Sequence, residues 1–189
     1  MKIITPIATE PLSVAEVKMQ LRLTADTTED TMLAQYITRA RQYCENYTGR
    51  ALGTQTLEHY EPAFPRTRCI KLPRTPLQSV TTVSYKDYTG SSVTMSVTTD
   101  YLVDVESAKI VLPHGKSWPS FIPYPFDAVT IRYVAGFTSV PEVIKQAMLL
   151  LIGHWYENRE NSNEMVGGKT EEIDFGVRAL LSQYVARWF

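Results

Sequence analysis

The chain of 189 residues has two cysteines, three histidines, almost no net charge and no long apolar run, and each shortage removes a class of protein. Cys44 and Cys69 cannot build a disulfide framework, and no further Cys stands near either to complete a metal cage. They read as reduced, buried small hydrophobes. Nineteen Lys plus Arg against 20 Asp plus Glu leave a formal charge of -1, so no global basic field draws the chain onto nucleic acid. The longest apolar stretch, Ala147 to Gly153, falls far short of a membrane span, and Met1-Lys2-Ile3-Ile4-Thr5-Pro6 lacks the apolar core of a secretory signal. The expectation is an intracellular chain with no membrane partner, in which the triplet Asn46-Tyr47-Thr48 is a chance match to a glycosylation site. What is present is apolar mass: 44% of the residues are hydrophobic and 11% aromatic, enough to bury a core in one domain or two small lobes.

Ser13-Val14-Ala15-Glu16 has the capping-box arrangement, in which the Ser hydroxyl takes an orphan backbone N–H and the Glu reaches back to the cap. It predicts a short helix to about Leu23. Asp26 followed by Glu29 repeats the device, and Leu33, Tyr36, Ile37, Ala40, Cys44 and Tyr47 then step by three and four until Gly49. This predicts an amphipathic helix of about six turns. From Thr54 the period changes to two. Candidate strands are Thr54 to Tyr60, Cys69 to Leu72, Ser79 to Tyr85, Val93 to Val97, Tyr101 to Val105, Lys109 to Leu112 and Ala128 to Val134. Short connections, with Asp87-Tyr88-Thr89-Gly90 as one hairpin turn, imply an antiparallel meander or small sandwich. The proline-dense stretch from Ser117 to Asp127 reads as an extended loop.

Helical spacing returns at Pro141, with Val143, Ile144, Ala147, Leu150, Leu151, His154 and Trp155. Met165 to Thr170 reads as a flexible loop, and Gly176 to Phe189 as a last helix. The fold class expected is α+β. Two N-terminal helices (1–53) and two C-terminal helices (137–189) pack together, with an antiparallel β block (54–136) inserted between them.

Few residues suggest chemistry. Gly168-Lys169-Thr170 resembles the tail of a phosphate-binding loop, but Asn163 stands where that loop needs Gly and a helix precedes it instead of a strand. His154, Glu157 and Glu160 share a helical face and could offer one imidazole and two carboxylates to a metal, yet a solvated helix end explains them as well, and His59 and His114 have no companion ligand at a recognised spacing. No nucleophile elbow occurs, and Cys44 lies on the apolar face of its helix. The reading is therefore of no catalytic residue, no cofactor and no metal. Arg66, Arg68, Lys71 and Arg74 form one basic cluster around a predicted strand, suited either to DNA phosphates or an acidic surface, or to charge protection of a β edge. Tyr184, Arg187, Trp188 and Phe189 stand out at the C-terminus because aromatics and Arg anchor interfaces whereas chain ends are usually polar. They either meet a partner or dock on the chain's own core.

Several stretches, in order, resemble the tailed-phage head-tail connector family. They are Leu12-Ser13-Val14-Ala15-Glu16-Val17-Lys18 leading to Gln20-Leu21-Arg22, then Tyr47-Thr48-Gly49-Arg50, Ile70 to Val80, Tyr133-Val134-Ala135-Gly136-Phe137, His154 to Glu160, and Gly176 to Leu181. Members carry the Gln-Leu-Arg signature and have been described as DNA-packaging proteins. Here Leu23 stands where Gly usually follows the signature, which bears on the loop after the first helix. The resemblance implies a structural role in the virion neck, reached from the host cytoplasm. There a ring of about twelve copies docks under the portal, extends the DNA channel and receives the next neck or tail component. DNA passes without sequence-specific binding, and Tyr184, Arg187, Trp188 and Phe189 would meet the portal. Alternatives are another neck or tail-completion protein, or a DNA-binding packaging accessory using Arg66, Arg68, Lys71 and Arg74, whose affinity would fall steeply with salt.

Overall fold

The computed structural model describes residues 1–23, 27–158 and 169–186. The chain divides into two compact units, one of Met1–Ala8 with Thr54–Phe137 and one of Thr9–Gly53 with Thr138–Phe189.

The first unit is all β. Strand β1 (Lys2–Thr5) is absent from the sequence-based expectation, because its four residues do not alternate and its partner lies some fifty positions on. The expected strands follow as β2 (Gln55–Glu61), β3 (Cys69–Lys71), β4 (Leu77–Lys86), β5 (Ser92–Met95), β6 (Leu102–Asp104), β7 (Lys109–Val111) and β8 (Val129–Ala135). They form a five-stranded sheet in the order β1-β2-β8-β4-β5 and a three-stranded sheet in the order β3-β7-β6, and every pair is antiparallel. This is not a plain meander, since β8 returns from the far end of the unit to lie between β2 and β4. Its composition explains that central place. Val129, Ile131, Tyr133 and Ala135 are fully buried on one face, each large side chain contributing about 1.5–3 kcal/mol on burial. The Tyr133 hydroxyl, in the core, donates to the Pro73 carbonyl at 2.6 Å, so the phenol is buried without a lost hydrogen bond.

The β4–β5 hairpin turns where the sequence places it. Asp87 Oδ1 accepts from the Thr89 and Ser91 N–H groups at 2.9 and 3.0 Å, and Gly90 takes φ +85, a conformation that favours glycine. Ser117 to Asp127 carries no strand. It is braced by aromatic packing: Trp118 stacks on Phe64 at 4.9 Å and donates its indole N–H to Thr67 O, while Phe121 meets both Phe64 and Tyr85.

The second unit is helical: α1 (Val14–Leu21), α2 (Asp30–Thr48), α3 (Glu142–Glu157) and α4 (Lys169–Ser182). Helix α1 contacts α2 and α3, α2 contacts α3 and α4, and α3 contacts α4. Leu33, Ile37, Ala40 and Cys44 of α2, Ile144, Ala147, Met148 and Ile152 of α3, and Val177 and Leu181 of α4 make the core. Ser13 caps α1 as expected, with the reciprocal Glu16 bond to the Ser13 N–H at 2.7 Å. The helix closes with Arg22 in the left-handed region (φ 55) and Leu23 N–H on Lys18 O. The residue that must turn is thus Arg22, and Leu23 has no need to be glycine.

Three helix boundaries differ from expectation. Helix α2 starts at Asp30, later than the Asp26 device predicts; Asp26 lies outside the described residues, and Glu29 makes no side-chain cap because its carboxylate accepts from the Tyr156 hydroxyl at 2.6 Å. Pro141 caps α3 and is not its first residue. Helix α4 begins ahead of Gly176, at Lys169, and ends at Ser182, well before Phe189. An interior glycine costs a helix only about 1 kcal/mol. Past Ser182 the chain leaves the helix to bond elsewhere: Arg50 Nε donates to Tyr184 O at 2.5 Å, and Ala186 N–H to Thr48 O at 2.8 Å. The segment 165–168 lies outside the described residues, and Lys169 and Thr170, expected in the loop, open α4.

Candidate functional site

The C-terminal candidates divide. Tyr184 is half-buried and its carbonyl accepts from Arg50 Nε, while the Ala186 N–H pairs the Thr48 carbonyl at the far end of α2, where a helix leaves carbonyls without partners. Thr48 is the last residue of α2, and Gly49 makes the left-handed turn beside Ala186. The backbone through Ala186 is therefore part of the helical unit. Arg187, Trp188 and Phe189 lie outside the described residues.

The basic cluster is less uniform than its spacing suggests. Arg66, Arg68 and Lys71 are exposed and Arg74 is half-buried in a left-handed turn (φ 62). Arg68 is tied down, donating through Nη2 to the Pro113 carbonyl at 2.7 Å and the Leu112 carbonyl at 3.4 Å. Lys71 on β3 stands opposite Lys109 on β7, which in turn faces Asp104 on β6. The Asp104 carboxylate beside Lys109 offsets the like charges that this register sets side by side. Lys109 was invisible to a reading along the chain because only strand register brings it to Lys71.

His154 and Glu157 both line a hollow between α1 and α3, and no third ligand-bearing side chain joins them among the described residues. His154 Nδ1 lies 3.1 Å from Asn158 Nδ2, Glu157 is exposed, and Glu160 is outside the described residues. His59 Nε2 lies 2.8 Å from the Glu61 carboxylate; the two make a pair, and no third ligand joins them among the described residues. Among the described residues no three His, Cys, Asp or Glu side chains are grouped as a metal would need. Cys44 is buried and its thiol is pushed up to about 12, by burial first and by the neighbouring Glu45 second, which makes it a poor nucleophile. Cys69 is half-buried, so only one of the two cysteines is the fully buried hydrophobe expected.

The buried charges have structural partners. Arg41 joins Glu10 (Nε to Oε2, 2.7 Å) to Glu45 (Nη1 to Oε2, 3.0 Å), and the other Glu45 oxygen accepts the Leu52 N–H at 3.0 Å. Glu58 on β2 takes Arg132 of β8 on one oxygen and the Tyr60 hydroxyl on the other. These networks fix loops and strands in place. Large apolar side chains, among them Met19, Ile122 and Phe126, remain exposed.

No curated protein matches. A chain from the neck of an empty gene transfer agent particle, computed with C6 symmetry, matches with a TM-score of 0.78 at 25% identity, covering 100% of this chain and 96% of that one. A chain from the neck of the native particle, computed with C12 symmetry, has the same fold, with a TM-score of 0.76 at 24% identity and the same coverage. The family model described as head completion protein matches residues 10–185, from Glu10 beneath Arg41 to the segment docked on the end of α2, so the chain belongs to the head completion protein family.

Proposed function

We infer that the chain is a head–tail connector, a structural adaptor in the neck of a phage or phage-like particle. The observation that carries this reading is the family match over residues 10–185, and the full-length likeness to a particle-neck chain supports it. The C6 and C12 symmetry of those necks supports a ring of copies. In a ring, one patch of each copy meets a different patch of the next and the rotation closes. The finer assignments are these: twelve copies sit beneath the portal, extend the channel for DNA, and offer their lower face to the next neck component. No reaction is catalysed. Tyr184, Arg187, Trp188 and Phe189 meet the portal, where many weak contacts made together give firm attachment through effective concentration. Arg66, Arg68, Lys71 and Arg74 meet an acidic surface or passing phosphates, with a near-neutral chain leaving DNA free to slide.

Deleting the gene from the genome that produces the particle is expected to leave DNA-filled heads without tails in negative-stain images. Supplying the chain restores joined particles, and the purified chain mixed with its cognate portal forms a ring on it. Normal numbers of tailed particles without the chain would overturn the reading.

A further inference from the structure

The Gln20-Leu21-Arg22 run lines a hollow of about 520 Å3 beside α3, whose wall includes Leu149, Leu150 and Gly153. A second hollow of about 260 Å3 shares Gln20 and Leu149 with it and continues along α1 and α3 past Met19. Met19 is 77% exposed and Leu150 37%, so an apolar strip lies open along this groove. Arg22 stands at its end, exposed and in no ion pair among the described residues.

The β unit carries the converse shape. Ile122 and Phe126 are 68% and 66% exposed. They sit on a braced loop. Pro123 bridges to Asp87 of the hairpin, Tyr124 N–H donates to Lys86 O at 3.2 Å, and the Tyr124 ring meets Phe126 edge-on at 5.1 Å. Asp127, next to Phe126, is exposed and likewise in no ion pair among the described residues. Large apolar side chains held out on a rigid support have the form of interface anchors.

We propose that Ile122 and Phe126 of one copy seat in the α1–α3 groove of the next copy, with Asp127 opposite Arg22, and that this contact propagates the ring. The proposal rests on the ring reading above. Knob and groove are different patches of one chain, as head-to-tail closure demands. Arg22 and Asp127 are opposite in charge and each lies beside the apolar residues it would accompany, with Glu157 set further along the same hollow wall. A second copy is therefore a partner that matches both patches at once, and the signature residues acquire a role as the socket wall.

The test is charge reversal scored by counting tailed particles when variants complement the gene deletion. Arg22→Asp and Asp127→Arg each place like charges across the contact, and each is expected to lower joined particles about tenfold or more. The double variant restores them. So does co-expression of the two single variants, because alternating copies then set the unaltered Asp127 of one variant against the unaltered Arg22 of the other, and the two introduced residues against each other, so that every contact pairs opposite charges. Phe126→Ala, which carries no charge change, lowers the count as well. Circular dichroism of each purified variant is expected to match the wild type, since all the altered positions are exposed. Wild-type counts from both single reversals, or a failure of both the double variant and the mixture to recover while the variants remain folded, would overturn the contact. Failure of the wild-type gene itself to restore tails would instead overturn the connector reading.

Discussion

Glu58 illustrates how single residues hold this molecule together. It lies mid-sheet between Lys2 of β1 and Arg132 of β8, nearly buried, and it keeps its charge because both oxygens are occupied. The Tyr60 hydroxyl, 2.5 Å from Oε2, is the largest influence lowering its pKa from the ordinary carboxylate value, and Arg132 adds to it against the opposing effect of burial. A carboxyl lowered in the folded state contributes stability above its unfolded value, near 4.3, and that contribution is lost as pH falls through the lower folded value. Tyr60→Phe is therefore expected to cost about 1 kcal/mol at neutral pH and progressively less in acid, as the wild type loses the same bond. Urea unfolding of the two proteins between pH 7 and pH 3 checks this, and a difference that stays constant or grows in acid would contradict it. The sequence did not reveal the triad: Glu58 and Tyr60 are neighbours on a strand face by alternation, but Arg132 is brought opposite only by the β2–β8 pairing.

At the scale of elements, ends marked by their own cap or turn residues were the legible ones. Gly49 ends α2 at φ +69 as its position after the periodic residues predicts. A Cβ there would lie 3.7 Å from the Ala186 Cβ, an ordinary contact, so the backbone alone sets the cost of replacing it. Gly49→Ala is expected to destabilise the helical unit by about 1 kcal/mol, read as a lower thermal midpoint with an unchanged far-ultraviolet spectrum. The seven strands between residues 54 and 136 were readable because period-two alternation was interrupted by turn residues such as Asp87 and Gly90. Strand β1 was not, since Ile3 and Ile4 are adjacent and both exposed, leaving no alternation to find. The C-terminal end of α4 was misread because the forces that set it are remote in sequence: Arg50 and Thr48 bond the backbone of Tyr184 and Ala186 outside helical geometry.

For the whole molecule, the two candidate roles of the C-terminal segment separate at Ala186. Up to that residue the chain is bound to its own fold by the Ala186 N–H on the Thr48 carbonyl and by Arg50 Nε on the Tyr184 carbonyl, whereas three of the four residues proposed for the portal, Arg187, Trp188 and Phe189, come after it. A cut after Gln183 removes both sets together, so a loss of attachment would be mixed with a loss of about 1–2 kcal/mol of stability from the lost bonds Ala186 N–H to Thr48 O and Arg50 Nε to Tyr184 O. A cut after Ala186 removes only the last three residues. It is expected to leave the thermal midpoint of the free chain unchanged while abolishing co-sedimentation with portal rings, because the aromatic and Arg anchors carry the contact and multivalency amplifies the loss of each. If the shorter cut instead lowers the midpoint by several degrees, Trp188 and Phe189 belong to the core of the helical unit, and the portal contact must be sought on another surface.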